Sequence, residues 1–198
     1  MKKTKRLLLI LPVFVILCAA LLFLTACSRV ETSLEKIPED YSLEQAKSDG
    51  CVVHENSDIT AGQEVWDGFV EKCEAGQKAS VLLTSYHTID RESMSEELYE
   101  QEKDKYPVLY VHELCYDGNA YFLFEKDDED RNVIRRSKYR YMKRYEGEPN
   151  SESASYSSYV YYVLVNEDVT WEQIMHGMAS SKWGDYIDFR WVYQKHIR

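Results

Sequence analysis

Five histidines provide the side chains best suited to acid–base or metal chemistry near neutral pH: His54, His87, His112, His176 and His196. Glutamate follows two of them directly, in His54-Glu55 and His112-Glu113. Neither pair is followed by the second histidine, four residues on, that a zinc-protease helix requires. A shared metal or acid–base role for His54, His87 and His112 is one interpretation, provided that the fold brings them together. Scattered structural or surface histidines are the other, and we favour it.

Other patterns of catalytic or metal sites are missing from the sequence. The four consecutive acidic residues at 127–130 lack the spacing and the glycine of a calcium loop, so we expect a solvated turn there. There is no Gly-x-Ser-x-Gly elbow and no glycine-rich phosphate loop. We therefore predict no catalytic residue, no metal and no cofactor, and an enzyme is the less favoured class.

A basic segment stands out in an otherwise acidic sequence. Seven of the fourteen residues from 131 to 144 are Lys or Arg, and Tyr139, Tyr141 and Tyr145 are interspersed. On a strand, alternation would make one face basic and the other aromatic. Such a surface could grip an anionic polymer such as teichoic acid, whereas cross-strand pairing with acidic neighbours is the favoured alternative. The candidate binding residues are Arg135, Arg136, Lys138, Tyr139, Arg140 and Tyr141.

Tyrosine is abundant, with 16 in the chain, and four lie close together at Tyr156, Tyr159, Tyr161 and Tyr162. Alternation on a strand would place 159 and 161 on one side and 156 and 162 on the other. Exposed aromatic rings are suitable platforms for sugars and protein partners. Tyrosine is also simply frequent in strands, and that interpretation is favoured.

The first 27 residues have the features of an export signal. A basic start at 2–6 precedes 18 residues, Leu7–Leu24, without a charged side chain, and Leu24-Thr25-Ala26-Cys27 follows. This last stretch resembles the lipobox of bacterial lipoproteins. The resemblance implies cleavage before Cys27 and attachment of lipid to that cysteine. An uncleaved signal anchor is the alternative, since 18 residues at about 1.5 Å each nearly span a hydrocarbon core of about 30 Å.

Charge and length define the exported part. Residues 1–26 are predicted as signal peptide, 27–40 as lipidated cysteine and polar tether, and 41–198 as one extracytoplasmic domain. Loss of the four basic residues of the signal leaves 20 Lys and Arg against 34 Asp and Glu, a formal charge of −14. This charge argues against nucleic acid and an anionic bilayer surface as partners. Three cysteines remain, Cys51, Cys73 and Cys115, which allow one disulfide and a free thiol or three buried thiols.

Local patterns predict an α+β domain with an antiparallel sheet of about five strands and one or two packed helices. A helix capped by Thr60 and running to Cys73 has the apolar stripe Trp66, Phe69, Val70, Cys73. Shorter helices should begin after Ser42 and Thr170. Residues 90–105 are a short helix or a loop. Strands are predicted at 78–87, 107–116, 121–124, 133–145, 156–165 and 186–193, with Asp117-Gly118 as a hairpin turn.

Residues 43–87 resemble a family of small lipoprotein domains of unknown function from Gram-positive bacteria. The matching residues are Glu44, Ala46, Gly50, Val52, Val53, His54, Phe69 and the strand around Val81, together with the turn Tyr116-Asp117-Gly118. The resemblance ends after Tyr86, where the charged segment begins. It implies a similar topology and export route and no activity.

We therefore expect a lipid-anchored protein on the extracytoplasmic side of the cell membrane. A non-catalytic binding module for a cell-wall polymer or an envelope protein is the favoured function. An envelope hydrolase with a histidine and carboxylate site is the alternative, and convergence of the three histidines with an acid in a cleft would favour it. A structural spacer is the third possibility.

Overall fold

Two β-sheets and four α-helices make up the described part of the chain in this computed structural model. It describes residues 32–56, 58–127, 130, 132–151 and 153–198. The strands are β1 (Val52–Glu55), β2 (Asp58–Ala61), β3 (Ala79–His87), β4 (Val108–Tyr116), β5 (Tyr121–Lys126), β6 (Ile134–Tyr139), β7 (Tyr141–Gly147), β8 (Ser158–Val165) and β9 (Phe189–Ile197). The helices are α1 (Leu43–Ser48), α2 (Gln63–Glu74), α3 (Glu96–Glu102) and α4 (Trp171–Ala179). The predicted α+β class is confirmed.

The sheets are larger and more varied than the predicted single antiparallel sheet of about five strands. Six strands form one sheet in the order β2-β1-β3-β4-β5-β6, and three form a second in the order β7-β8-β9. Strands β1 and β3 are parallel, so the first sheet is mixed. The parallel pair arises because the chain passes from β1 through β2 and α2 before it returns beside β1 as β3.

The predicted strand at 133–145 is two strands in different sheets. Strand β6 pairs with β5, whereas β7 pairs with β8, and only Arg140 separates β6 from β7. The backbone N–H of Arg140 donates to Asn166 Oδ1 at 3.2 Å. The amide therefore bonds to a side chain at the point where the chain leaves one sheet for the other.

Helix α2 begins later than its predicted cap. Thr60 belongs to β2, which pairs with β1, and Gly62 is the cap residue, with a φ of 78°. A Cβ at Gly62 would lie 2.3 Å from the carbonyl oxygen of Cys51, so glycine is required there for two reasons. Pairing of Thr60 with the sheet thus prevails over its local capping preference.

Three local signals agree with the structure. Ser42 and Thr170 each form a capping box, with Gln45 and Gln173 at the third helical position. Strands β4 and β5 form the predicted hairpin, with Gly118 at a φ of 95°. The segment 90–105, which the sequence left open, contains α3 and a 3₁₀ turn at Lys103–Lys105.

The main core lies where α2 packs between the two sheets. Trp66 of α2 is 1% exposed, and its ring stacks on Tyr193 of β9 with centroids 4.6 Å apart. Phe69 and Cys73 complete the buried stripe of the helix. Leu83 and Leu164 bring the first and second sheet into the same cluster. This shared core fixes β9 against the first sheet, which positions the site described below.

The other side of the first sheet is covered by the N-terminal end of the described chain. Leu34, in a 3₁₀ turn at Ser33–Lys36, is fully buried against Phe122 and Phe124 of β5. The backbone N–H of Ser33 donates to the carboxylate of Glu113 at 2.7 Å. Residues 33–40, which fall within the predicted tether of 27–40, therefore belong to the folded unit.

Candidate functional site: a cleft between the two sheets

Strand register places a row of polar residues on one face of the first sheet. His112 of β4 lies opposite Glu125 of β5, and Glu125 lies opposite Arg135 of β6. Leu83 of β3 lies opposite His112, and Ser85, two residues further on and thus on the same face, lies beside His54 of β1. Directly opposed residues point to the same face of a sheet, so all five polar side chains share one side. The residues two positions along on β3, β4 and β5 are the core residues Leu83, Leu114 and Leu123.

This polar part of the face forms the floor of a cleft of about 940 Å³. One wall is β9 with the segment that follows α4, and the segment 37–41 lies on another side. The polar side chains that line the cleft include Glu39, His54, Ser85, His87, Tyr110, His112, Glu125, Lys126, Asp127, Arg135, Lys182 and Arg190. A cleft of this size with several convergent polar groups is the usual form of a ligand site.

The cleft also reaches an open strand edge. Strand β4 pairs with β3 along its whole length but with β5 only from His112 to Tyr116. Residues 109–112 all line the cleft, although alternate residues of a strand point to opposite faces. Because residues 108–111 have no partner on the β5 side, this edge of β4 beside the cleft could pair with an extended ligand.

An ion pair across the cleft lies at the centre of its charged groups. Arg190 Nη2 of β9 lies 2.5 Å from Glu125 Oε1 of β5. His112 Nδ1 lies 3.2 Å from the same oxygen, without the angle of a hydrogen bond. Burial would raise the pKa of Glu125, but His112 and Arg190 outweigh it and hold the pKa below its usual range. Glu125 is therefore a carboxylate at neutral pH and not a proton donor.

His54 is a neutral histidine whose contacts are with the neighbouring strand β9. It is 8% exposed, and its Nε2 accepts the backbone N–H of Gln194 at 3.3 Å, which places the ring proton on Nδ1. Its ring meets Tyr193 edge-on at 5.4 Å. Burial lowers the pKa of His54 to about 4, against opposing contributions from Gln194 and Asp58. This histidine therefore helps to join β1 to β9.

The three histidines line the same cleft without forming one cluster. His87 lies opposite Val108, which is four residues from His112, so the two positions are about 13 Å apart along the sheet. His54 lies on β1, two strands from His112. Among the described residues, no group of three His, Cys, Asp or Glu side chains is placed to hold a metal ion.

Two exposed aromatic rings stand at the mouth of the cleft. Trp183 is 91% exposed and Tyr186 is 57% exposed. Their ring planes differ by 19° and their centroids are 6.2 Å apart, so the two rings are stacked nearly parallel. Both residues line the cleft. We call this pair the aromatic platform.

Hydrogen bonds hold the loop that carries the aromatic platform. Ser180 Oγ donates to Asp185 Oδ2 at 2.5 Å, and the N–H of Tyr186 donates to the carbonyl of Trp183 at 3.3 Å. The loop also packs closely on α4, because a Cβ at Gly177 would lie 2.4 Å from the carbonyl oxygen of Asp185. The exposed rings are thus presented by a fixed loop.

The candidate residues of the basic segment are distributed over several surfaces. Arg136 lies over the ring of Phe122 at 4.1 Å and Lys138 over the same ring at 5.9 Å, on the face opposite the cleft. Arg135 lines the cleft and forms an ion pair with Asp127. The predicted separation of a basic from an aromatic face is therefore wrong for β6, since Arg135 and Tyr139 share one face.

The other candidates lie near the junction of the two sheets. Tyr139 is 5% exposed within the main core. Arg140 lies over the ring of Tyr141 at 5.1 Å, and Tyr141 packs in the core of the second sheet beneath α4. Further along, Lys143 forms an ion pair with Asp168. The expected pairing of cations with acidic neighbours is thus seen at Lys143, as it is at Arg135.

The crowded tyrosines agree in part with the predicted alternation. Tyr159 and Tyr161 stack with centroids 4.4 Å apart on the face of the second sheet that packs against α4, as predicted for residues on one side. Tyr162 points to the other side and packs against Trp66. Tyr156 precedes β8, and its ring stacks on that of His196. The ring of His196 also contacts Tyr161, so Tyr156 lies on the same side as Tyr161 and not on the side of Tyr162. The prediction for Tyr156 is therefore wrong.

The three cysteines of the described domain are free thiols. Cys51 and Cys73 are buried and Cys115 is half-buried. Burial raises the pKa of Cys73 to about 11 and that of Cys115 to about 12, so neither is a ready nucleophile. The sequence had left a disulfide open as one alternative. The predicted lipid attachment site, Cys27, lies outside the described residues.

Sequence reasoning missed the residues that define the cleft apart from its histidines and Arg135. Glu125 could have been noticed as a carboxylate that ends the apolar run 121–124, and Trp183 as a tryptophan beside a glycine in a loop. Of the residues that the structure describes, no helix is both long and apolar enough to cross a membrane. Comparison with protein families, with curated proteins and with solved structures found no match for this chain.

Proposed function

We propose that this protein is a lipid-anchored, extracytoplasmic binding protein whose ligand occupies the cleft between the two sheets. The single observation that carries the proposal is the cleft of about 940 Å³, with a polar floor and an aromatic platform at its mouth. The ligand classes are those expected from the sequence, a cell-wall polymer or another envelope protein. The resemblance of residues 24–27 to a lipobox and the charge-free segment before them support the location.

The cleft is a more suitable binding surface than the basic segment. Arg136 and Lys138 lie over an aromatic ring, and Arg135 is paired with a carboxylate, so these cations are already engaged. A polymer that bound there would have to compete with these contacts. The polar groups of the cleft, which include Arg135, converge on one volume together with two exposed aromatic rings.

An envelope hydrolase is the second candidate, because the cleft does contain three histidines and a carboxylate. The specific observation in its favour is the pair His112 and Glu125, in which a carboxylate lies beside an imidazole. Ser85 lies diagonally across from His112 on the neighbouring strand and is the available hydroxyl. We favour binding because His54 is held by a backbone bond and Arg190 neutralises Glu125.

Co-sedimentation with purified cell walls tests this proposal. The protein is purified from membranes in detergent and mixed with walls that retain or lack their anionic polymers, at low and high salt. The proposal predicts sedimentation with at least one wall preparation. Absence of binding in every condition would exclude a wall polymer, and cross-linking in intact cells would then test for a protein partner. Hydrolysis products released from the walls would favour the enzyme.

A further inference from the structure

The aromatic platform identifies the kind of polymer that the cleft accepts. We infer that the ligand is a glycan chain, held by packing of a sugar ring on Trp183 and Tyr186 and by hydrogen bonds to the polar floor. This inference rests on the proposed binding function and adds the ligand class. It also differs from the anionic polymer that the basic segment suggested.

The contacts of the described residues do not explain why the two rings of the aromatic platform are exposed. A tryptophan that is 91% exposed gains almost nothing from burial in the folded state. The loop around it is nevertheless fixed by the bond from Ser180 to Asp185 and by the close approach at Gly177. A stacked pair of exposed aromatic rings on a loop held in this way, beside a cleft, is typical of a binding surface.

Sugar rings suit both parts of this site. A pyranose ring has a flat face of C–H groups that packs on an aromatic ring and a rim of hydroxyl groups that both donate and accept hydrogen bonds. The cleft offers the matching groups, with the carboxylate of Glu125 on the floor as an acceptor and the guanidinium of Arg190 on the wall as a donor. Ser85 and Tyr110 add hydroxyl groups that can act as either. The ion pair holds two of these groups in place before the ligand arrives.

The charges of the cleft do not favour a polyphosphate. Its described lining contains four cations, Lys126, Arg135, Lys182 and Arg190, and three carboxylates, Glu39, Glu125 and Asp127. Arg135 and Arg190 are already paired with carboxylates, and Lys126 Nζ donates to the carbonyl of Ile37 at 3.0 Å. With a formal charge of −10 for the whole chain, long-range attraction of an anionic polymer is absent as well.

The open edge of β4 would suit an extended peptide, so the experiment must separate glycan from peptide. Cell walls freed of anionic polymers are digested with an amidase, which releases glycan strands and stem peptides that are then purified separately. Detergent-purified full-length protein is titrated with each, and binding is followed by tryptophan fluorescence and calorimetry. The expected result is binding of the glycan strands that persists at high salt, where the lactyl carboxylates freed by the amidase are screened but ring packing and hydrogen bonds remain.

Variants locate the binding surface. Trp183→Ala and Tyr186→Ala should each weaken glycan binding, with about a tenfold loss for Trp183→Ala. Leu98→Ala is the matched control, since Leu98 is 44% exposed on α3 and does not line the cleft. Its affinity should equal that of the unchanged protein. Unchanged binding by Trp183→Ala would overturn the inference.

The failures of the two proposals can be told apart. Sedimentation with whole walls but no binding of glycan strands would overturn the glycan inference and leave the binding function intact. Binding of stem peptides alone would assign the cleft to a peptide on the β4 edge. Binding to phosphatidylglycerol vesicles that is lost in Trp183→Ala would make the platform a membrane contact, and this too would overturn the inference.

Discussion

Arg190 of β9 and Glu125 of β5 are 2.5 Å apart at Nη2 and Oε1, and their ion pair joins the two sheets across the cleft. The Arg190 side chain is 52% exposed and is therefore screened by solvent, whereas the Glu125 side chain is only 17% exposed and is screened much less. The pair orders the polar floor of the cleft. We therefore expect its removal to affect the protonation of Glu125 more than the stability of the fold.

Replacement of the cation tests this relationship. Arg190→Met should raise the pKa of Glu125, because burial then opposes ionisation with only His112 to counter it. The titration of the Glu125 carboxyl by NMR measures the change. Arg198→Met, which removes one of the two partners of Asp58, is the control and should leave the pKa of Glu125 unchanged. An unchanged pKa in Arg190→Met would show that the ion pair does not form in solution.

Acid should destabilise the domain through His54. Its pKa is about 4 in the folded state and 6.5 as the ordinary value, so between these pH values the unfolded chain takes up a proton that the folded one does not. Stability should therefore fall by about 1.4 kcal/mol per pH unit in this window, about 3 kcal/mol in all. Urea unfolding at pH 7, 5.5 and 4.5 measures the slope.

His54→Gln should flatten this dependence, since glutamine can still accept the Gln194 amide but does not titrate. His176→Gln is the matched control, because the His176 side chain is 75% exposed. Equal pH slopes for His54→Gln and the unchanged protein would contradict the assignment of His54 as a buried neutral histidine.

Replacement by alanine of the two glycines at the start and inside of α2, Gly62 and Gly68, should change the free energy of unfolding in opposite directions. Gly62→Ala places a Cβ 2.3 Å from the Cys51 carbonyl at a φ of 78°, and we expect a loss of more than about 2 kcal/mol in the free energy of unfolding. Gly68 lies inside α2, where an added Cβ meets nothing within 4 Å. Gly68→Ala should stabilise by about 0.5 to 1 kcal/mol. Urea unfolding of both variants measures the difference, and the same sign for both would be inconsistent with the described start of α2.

Lipid attachment is tested at its predicted site. Cys27→Ser should abolish incorporation of labelled palmitate, because the thiol that accepts the lipid is gone. The unchanged protein should have the mass of a chain that begins at Cys27 plus its acyl groups. Cys115→Ser is the control and should keep the label. A mass that retains residues 1–26 without lipid would support the uncleaved signal anchor instead.

Local features of the fold were predictable, and long-range ones were not. The capping boxes at Ser42 and Thr170 and the turn at Gly118 depend on residues within a few positions, so sequence patterns identify them. Thr60 was assigned wrongly because its pairing with β1 is not visible in its neighbours. The break at Arg140 was missed for the same reason, since the residue pattern continues through it while the strand partners change.

Which side chains meet in the cleft depends almost entirely on the register of the strands and on the packing of the two sheets. Glu125 and Arg190 are 65 residues apart in the chain, and they meet because β9 is held against the first sheet by the shared core around Trp66. The sequence did identify His54, His87 and His112 as candidates. It could not show that they share a cleft or that they are too far apart to act on one atom.

The most direct measurement of the central claim compares wall binding by variants of the cleft and of the opposite sheet face. Ser85→Trp and His87→Trp fill the floor and the outer end of the cleft, and urea unfolding confirms that each variant folds. Arg136→Glu with Lys138→Glu reverses the charge on the face away from the cleft. The proposed function predicts that both cleft variants lose sedimentation with cell walls, whereas the charge-reversal variant keeps it. Retained binding by the folded cleft variants together with loss in the charge-reversal variant would contradict the cleft and assign binding to the basic segment.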